Sequence, residues 1–430
     1  MQIIDELQYS GFIKDVTDPD GLRARMDEGS VTFYCGFDPT NTSLTAGNLV
    51  AVMLMAYLQR AGHKPIVILG GGTGLVGDPA GKSKTREKVL TPEDVAANME
   101  SQRPQFGRFL TLQDEVGDSG HGAVLRDNAE WLLELGYIAF LRDVGRYFSV
   151  NEMITAETYA RRLKSQEHLS FTEFNYRLVQ AYDFLHLYRE EECVLQVGGS
   201  DQWGNCVAGT ELIRKADGGK AWVLTTPLLT TASGQKMGKT EKGALWLDAQ
   251  RTSPFDYFQY WMNVDDRDVA PFLRMFTFLS LEDIAVLVAG AVQASKARLA
   301  WEATRLCHGE RAASAALVTA SLLFGTDRYY TFEDIVPEGT ERPQPDLPRA
   351  EIPRAALEAG IPVYKLFAHE SVGLASSGKQ AKSLVKQGGA SINGAVQQDA
   401  FALVDCSALR EDGSLLLRAG KKKYCVVLPV

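Results

Sequence analysis

Apolar positions along this chain change period several times, and those changes mark out its elements. The runs at 31–36, 65–70 and 193–197 are short, rich in β-branched or aromatic residues and closed by glycine, which predicts buried strands. Longer apolar stretches of helical length follow the first and last of them, at 49–61 and 204–215. Strand alternating with helix predicts a parallel sheet with crossover helices, in which ligands bind beyond the carboxyl ends of the strands. From residue 252 the pattern turns helical, with segments at 254–262, 266–279, 280–293, 297–308 and 312–323. Pro337, Pro343, Pro345, Pro348 and Pro353 then stand among acidic residues, which predicts an extended linker. The expected layout is an α/β domain over 1–250, an all-helical domain over 251–335, a linker over 336–353 and a small module over 354–430. Apolar stretches such as 49–58 and 315–324 fall far short of the roughly 20 residues that span a bilayer, so no membrane partner is expected.

Charge changes this picture at the C-terminus. A net charge of −9 argues against nucleic acid as a partner of the whole chain. Residues 361–430 nevertheless carry nine Lys or Arg against five Asp or Glu, a balance of +4 that leaves −13 elsewhere. A basic module on an acidic body suits a chain that keeps one region for a polyanion, and equally suits a solvated charged tail. Cysteines 35, 193, 206, 307, 406 and 425 form no CxxC pair and join no histidine cluster, which implies reduced thiols, no structural metal site and a cytoplasmic setting.

Four segments carry candidate chemistry. Gly72, Gly74 and Gly77 formally satisfy GxGxxG, but Asp78-Pro79 breaks the helix that a dinucleotide site needs, and the acids at the right distance, Glu93 and Asp94, open a helix instead. What survives is a glycine bend close to a ligand, with Asp78 placed to hold an ammonium group. Over 170–190, Phe174, Leu178, Ala181 and Leu185 mark one face of a helix, and Tyr176, Gln180 and Asp183 line the other. Periodicity makes that polar stripe a solvent face; its mixture of phenol, amide and carboxylate, with Leu187 in line, also fits a pocket wall. Gly198-Gly-Ser-Asp201-Gln202-Trp-Gly-Asn205 ends a strand where a helix starts, a junction that can hold a nucleotide sugar or simply cap the helix. Lys236-Met-Gly-Lys239-Thr240 lies in a Gly- and Lys-rich stretch that can close over a triphosphate, or can be a surface lysine pair.

Taken in order, these motifs resemble the bacterial tyrosyl-tRNA synthetases of class I. Tyr34-Cys-Gly-Phe-Asp-Pro-Thr40 is similar to the family's first strand and turn, and 71–81 to its glycine bend. Residues 180–187 resemble its tyrosine-binding helix, 198–205 its ribose motif, 236–240 its KMSKS loop, and 373–394 its terminal RNA-binding module. The resemblance implies a Rossmann-like, doubly wound parallel-sheet catalytic domain, an all-helical domain on the anticodon side and an α+β RNA-binding module. It implies a tyrosine–tRNA ligase that forms tyrosyl-adenylate from tyrosine and ATP, then esterifies the terminal ribose of tRNA(Tyr). By resemblance, Tyr34 and Asp183 bind the substrate phenol, while Asp78, Tyr176 and Gln180 hold its ammonium. Gln196, Gly199, Asp201 and Gln202 touch the adenylate or the substrate carboxylate, and Gly36, Asp38, Thr45, Gly47 and Asn48 the nucleotide. Thr40, Lys82, Arg86, Lys236 and Lys239 face the phosphates. ATP enters as substrate with Mg2+, no tightly bound cofactor is implied, and a homodimer is expected with its interface near 131–148.

The family's HIGH signature departs here to Thr45-Ala-Gly-Asn48. An asparagine amide can still donate, but a hydroxyl is shorter than an imidazole and carries no positive charge, so contact with the γ-phosphate should weaken. An alternative from another class follows: a synthetase-like RNA-binding relative with impaired activation. A tryptophan-specific enzyme is disfavoured by the pairing of Tyr34 with Asp183.

Overall fold

The computed structural model describes residues 2–79, 90–116, 120–166, 168–232, 234, 237–240, 243–326, 329–420 and 423–430, with backbone alone at 115, 116, 157, 239 and 240. These divide into two compact units, one of Met1–Ala313 with Asp334–Val336 and one of Ser314–Glu333 with Pro337–Val430.

In the first unit the strands β1 (Asp15–Val16), β2 (Thr32–Phe37), β3 (Lys64–Leu69), β4 (Val124–Asp127), β5 (Cys193–Gly199) and β6 (Trp222–Thr226) form one sheet in the order β1-β6-β5-β2-β3-β4. β1 pairs antiparallel with β6 and the remaining neighbours are parallel. The chain winds outward from β2 to β4, then returns to the other side of β2 with β5. The strand order therefore reverses between β2 and β5, where Tyr34 pairs with Gln196, and such a switch point opens a crevice at the carboxyl ends of the strands. β4 and β6 were not read from the sequence: β4 is four half-buried residues without alternation, including Arg126 and Asp127.

Helix α1 (Ala46–Arg60) is apolar almost all round and buried nearly throughout, from Leu49 to Leu58. Helix α2 (Phe171–Glu190) starts with a capping box, in which Ser170 Oγ accepts from the Glu173 amide at 3.1 Å and Glu173 Oε2 accepts from the Ser170 amide at 3.2 Å. Glu173 also pairs with the fully buried Arg162 at 3.3 Å. The polar stripe of α2 is no solvent face, because Tyr176, Asp183 and Leu187 are buried along with Leu178, Ala181 and Leu185. Helix α3 (Trp203–Asp217) packs against α2 over the sheet, and Phe184 sets its ring edge-on to Tyr34 at 5.3 Å between centroids, inside a core that includes Ile66, Ile68 and Leu212.

Helices α4 (Pro254–Met262), α5 (Asp266–Phe276), α6 (Leu281–Ala289), α7 (Val292–His308) and α8 (Glu310–Phe324) follow the helical reading closely. A separate domain is expected from 251, and α4 to α7 lie in the same compact unit as the sheet. The reason is shared core: α5 packs on α1, and the Tyr57 hydroxyl of α1 bonds the carbonyl oxygens of Arg274 at 2.9 Å and Thr277 at 2.5 Å. The boundary between units falls instead inside α8.

The second unit holds a five-stranded sheet in the order Ala395–Val396, Ala390–Ile392, Leu415–Ala419, Lys423–Pro429, Arg349–Ile352. The linker expected over 336–353 is thereby corrected at its end. Arg349–Ile352 is an edge strand, parallel to Lys423–Pro429, that buries Ala350 and Ile352 on one face. Pro348 and Pro353 flank it at positions where an edge strand tolerates a missing donor. The core beneath includes Leu357, Leu366, Phe367, Ala381 and Leu417.

Replacing Tyr57 by Phe removes the hydroxyl that bridges α1 to the end of α5 and leaves carbonyl groups short of a donor. Urea unfolding is expected to show a loss of about 1–3 kcal/mol; an unchanged midpoint would mean that the bridge contributes nothing to joining sheet and helices.

Candidate active site

One cavity of about 580 Å³ opens at the switch point. β2 supplies Tyr34 and Gly36, the turn after it Asp38, the start of α1 Thr45, Gly47 and Asn48, helix α2 Tyr176, Gln180 and Asp183, and β5 with its turn Gln196, Gly199, Asp201 and Gln202; Asp78 completes this set. Thr40 is exposed in the turn after β2 and is not among the walls. Lys82, Arg86 and Lys236 lie outside the described residues, as does the side chain of Lys239.

At one end sits Asp183, 3% exposed. Its Oδ1 accepts from Trp131 Nε1 at 2.7 Å and its Oδ2 from Asn128 Nδ2 at 2.9 Å. Burial pushes its carboxyl up to about 7, against those two hydrogen bonds, which pull it down. Tyr34 is 1% exposed and its hydroxyl has no protein partner among the described residues. Burial, with Asp183 next in effect, drives the Tyr34 phenol well above its usual range, so it stays a hydrogen-bond donor.

From Asn128 a chain of hydrogen bonds runs across the cavity. Asn128 Nδ2 also reaches Thr73 Oγ1 at 3.0 Å, Thr73 Oγ1 donates to Asp38 Oδ1 at 2.7 Å, and Tyr176 Oη donates to Asp38 Oδ2 at 3.0 Å. Asp38 thus stands beside Tyr176 rather than apart from the amino-acid residues. The glycine bend acquires its reason here: a Cβ on Gly70 would lie 2.3 Å from Asp38 Oδ1 and 2.4 Å from Thr73 Oγ1. Gly70 thus makes room for the chain's own polar side chains and is itself part of the cavity wall.

Asp78 accepts from Gln202 Nε2 at 2.6 Å and from Asn205 Nδ2 at 3.5 Å. Gln180 touches Cys206 Sγ at 3.9 Å through its amide nitrogen, while its Oε1 and the Oε1 of Gln196 are buried with no protein partner among the described residues. Three buried polar atoms on one cavity, Tyr34 Oη, Gln180 Oε1 and Gln196 Oε1, therefore await a ligand that both donates and accepts.

At the other end, Thr45 and Asn48 form the capped N-terminus of α1, where the helix dipole favours an anion. The segment after the lysine loop is stitched to it by Ala46 N to Leu245 O at 2.9 Å and Leu247 N to Leu44 O at 3.0 Å. Gly238, at φ +75°, approaches so closely that a Cβ would lie 3.0 Å from Ala46 Cβ and 3.1 Å from Gly47 N. Within 236–240, then, glycine is required at 238 both by conformation and by space.

Reasoning from the sequence missed Asn128, Trp131 and Thr73. Asn128 and Trp131 follow β4, itself unpredicted, and no local pattern signals a hydrogen bond to a residue more than 50 positions away. Thr73 lay inside the glycine segment, where the glycines drew the attention.

Comparison with known proteins bears on the whole chain. The family model for class I tRNA synthetases (W and Y) matches residues 26–325, and that for the tyrosine–tRNA ligase SYY-like C-terminal domain matches 346–427. The tyrosine–tRNA ligase of Desulfosudis oleivorans is 47% identical over 441 residues, covering 100% of this chain and 99% of the relative. That of Desulfatibacillum aliphaticivorans is also 47% identical, over 435 residues, covering 99% and 98%. Among solved structures, a C-terminally truncated mitochondrial tyrosyl-tRNA synthetase of Aspergillus nidulans superposes with a TM-score of 0.68 at 30% identity, over 75% of this chain and 94% of that one.

The raised carboxyl of Asp183 has a consequence for stability. Between its usual 3.8 and about 7 the folded chain keeps a proton that the unfolded chain has released, so this residue's contribution to stability falls as pH rises through that window. Asp183→Asn has no such titration. The melting temperature of the variant minus that of the unaltered chain is expected to increase from about pH 5 to about pH 8; a flat difference would mean that the carboxylate is charged throughout.

Proposed function

Because this chain belongs to the class I bacterial tyrosine–tRNA ligases, we propose that its cavity takes tyrosine between Tyr34 and Asp183 and ATP between the start of α1 and Asp201. The enzyme activates tyrosine with ATP and charges tRNA. The observation that carries the placement is the pair of phenol-reading groups, a Tyr34 hydroxyl without a protein partner beside a buried Asp183. Tyr34 donates to the substrate phenol oxygen, and the substrate phenol donates to Asp183. A phenylalanine ring would leave the Tyr34 hydroxyl buried and unpaired and give Asp183 no further donor beyond Trp131 and Asn128. Asp78, Tyr176 and Gln180 take the ammonium, Gln180 through its free Oε1. Gln202 and Gln196 face the substrate carboxylate, and Asp201, next to Gly199, takes the ribose hydroxyls.

The tyrosine carboxylate then attacks the α-phosphorus of ATP, the bond to the bridging oxygen breaks and pyrophosphate leaves. The terminal ribose hydroxyl of tRNA(Tyr) next attacks the carbonyl carbon of the adenylate, and AMP leaves. No protein nucleophile is required, so the rate comes from positioning and from charge matched to the departing phosphates. Lys82, Arg86, Lys236, Lys239 and Thr40 are proposed for that task, with magnesium entering as part of the nucleotide substrate.

The second unit is proposed to hold tRNA, which accords with its basic balance over 361–430. A second copy of the chain is proposed to cover the face around Leu133, Tyr137 and Ile138, which are 69%, 61% and 74% exposed. The six cysteines are free thiols and no helix among the described residues is long and apolar enough to cross a membrane, in keeping with a cytoplasmic enzyme.

ATP–pyrophosphate exchange by the purified chain, with tyrosine, phenylalanine or tryptophan, tests the assignment. Tyrosine alone is expected to support exchange; none with any amino acid would favour the RNA-binding alternative, and exchange with tryptophan would overturn the phenol assignment. Tyr34→Phe should lower kcat/KM for tyrosine roughly tenfold, the effect of one lost hydrogen bond of about 1.4 kcal/mol, and raise that for phenylalanine, which no longer strands a buried hydroxyl. Removal of residues 337–430 should cut tRNA charging by more than about tenfold while exchange stays within about twofold. Equal losses in both reactions would contradict a division of labour between the units.

A further inference from the structure

The departure at 45–48 has a structural logic of its own. The backbone amide of Thr45 and its hydroxyl both lie 2.9 Å from the same side-chain atom of Asn48. A backbone N–H can only donate, so that atom must be the amide oxygen, Oδ1. The Asn48 amide nitrogen is forced to the opposite side. It carries two N–H donors and has no protein acceptor among the described residues, while Thr45, Gly47 and Asn48 line one stretch of the cavity wall. Two donors from Thr45 hold one asparagine in one of its two amide orientations, and the second of them is the hydroxyl.

We propose that Thr45 is a positioning residue, and that its hydroxyl fixes Asn48 so that the Asn48 amide nitrogen donates to an acceptor oxygen of the nucleotide. This rests on the assignment of ATP to this end of the cavity. It revises the expectation that Thr45 itself contacts the γ-phosphate: the hydroxyl proton is committed to Asn48. Without that hydroxyl, the amide is held by the Thr45 N–H alone, and the flipped orientation, which turns a carbonyl oxygen toward phosphate or ribose oxygens, becomes accessible. The two substituted positions of the signature thus act as one unit, with a side-chain donor recovered from a pair of uncharged residues.

The test is a double-mutant cycle in tyrosine-dependent ATP–pyrophosphate exchange. Thr45→Val is expected to lower kcat/KM for ATP about tenfold, Asn48→Ala by at least about tenfold, and Thr45→Ser to stay within about twofold of the unaltered enzyme. The double variant Thr45→Val with Asn48→Ala should be no worse than Asn48→Ala alone, within about twofold. The Kd for tyrosine should be unchanged in all of them, which a general loosening of α1 would not allow. Multiplicative losses in the double variant would overturn the proposal, because Thr45 would then touch the nucleotide directly, and so would failure of serine to restore activity. Calorimetric titration of ATP over the same four variants tests the coupling without turnover. Absence of exchange in the unaltered chain would therefore count against the ligase assignment, and an uncoupled ATP-binding cycle against the role of Thr45.

Discussion

A carboxylate placed where water is excluded demands donors, and meeting that demand at Asp183 organises the catalytic unit. Trp131 and Asn128 supply the donors from the segment after β4. Asn128 is itself 1% exposed and turns its carbonyl oxygen to the amide of Gly72 at 2.9 Å, so one side chain ties α2 to the bend that follows β3. His186, stacked on the Trp131 ring at 4.4 Å between centroids, holds the indole in the plane that aims Nε1 at Asp183. The same network continues through Thr73 to Asp38 and Tyr176. Polar networks in a dry interior are costly when any member lacks a partner, and each of these side chains has one.

The scaffold that presents this network is stiff for identifiable reasons. Helix α2 enters with its register fixed by the capping box at Ser170 and Glu173, and Glu173 faces Arg162 in a pair whose side chains are 0% and 8% exposed. A pair so buried brings little net stability, but loss of one partner strands a charge, so it holds α2 at one height relative to the segment before it. Tyr176 lies less than one turn further on, Gln180 and Asp183 within the next two. On the facing side, β2 and β5 are adjacent parallel strands, which puts Tyr34 next to Gln196 without any contribution from loops.

Much of this was legible in the chain. The stripe of Tyr176, Gln180 and Asp183 follows from helical spacing alone, and the strand-to-helix junction at Asp201 from glycine and small polar residues. What spacing could not decide was whether the stripe faced water or a pocket; packing on both sides of α2 decides it. The partners of Asp183 were invisible because hydrogen bonding between Asn128 and a residue 55 positions later leaves no trace in local periodicity. Prolines misled at 349–352, where composition outweighed a two-residue alternation of Ala350 and Ile352. The glycines at 70–72 have a further reason that spacing does not show: Gly70 leaves space for Asp38 and Thr73, Gly71 for Asp127 and Gly72 for Leu132.

A nucleotide triphosphate, as proposed, would be a demanding guest for this cavity, which already holds Asp38, Asp78, Asp183 and Asp201. For three of the four, repulsion of phosphate is limited by how the carboxylate is held. Tyr176 and Thr73 donate to Asp38, Gln202 and Asn205 to Asp78, and Asn128 and Trp131 to Asp183. All of these donors are neutral. Cations in their place would offset the carboxylates more strongly, but would also give pyrophosphate fixed counter-charges to cling to as it departs. These neutral donors disperse the carboxylate charge, and in the proposed placement attraction of the phosphates falls to the start of α1 and to the lysines and arginine proposed for that task. In the proposed placement, selectivity for a phenol and release of a polyanion fall to different ends of one crevice, and the switch point between β2 and β5 is what would allow a single sheet to serve both.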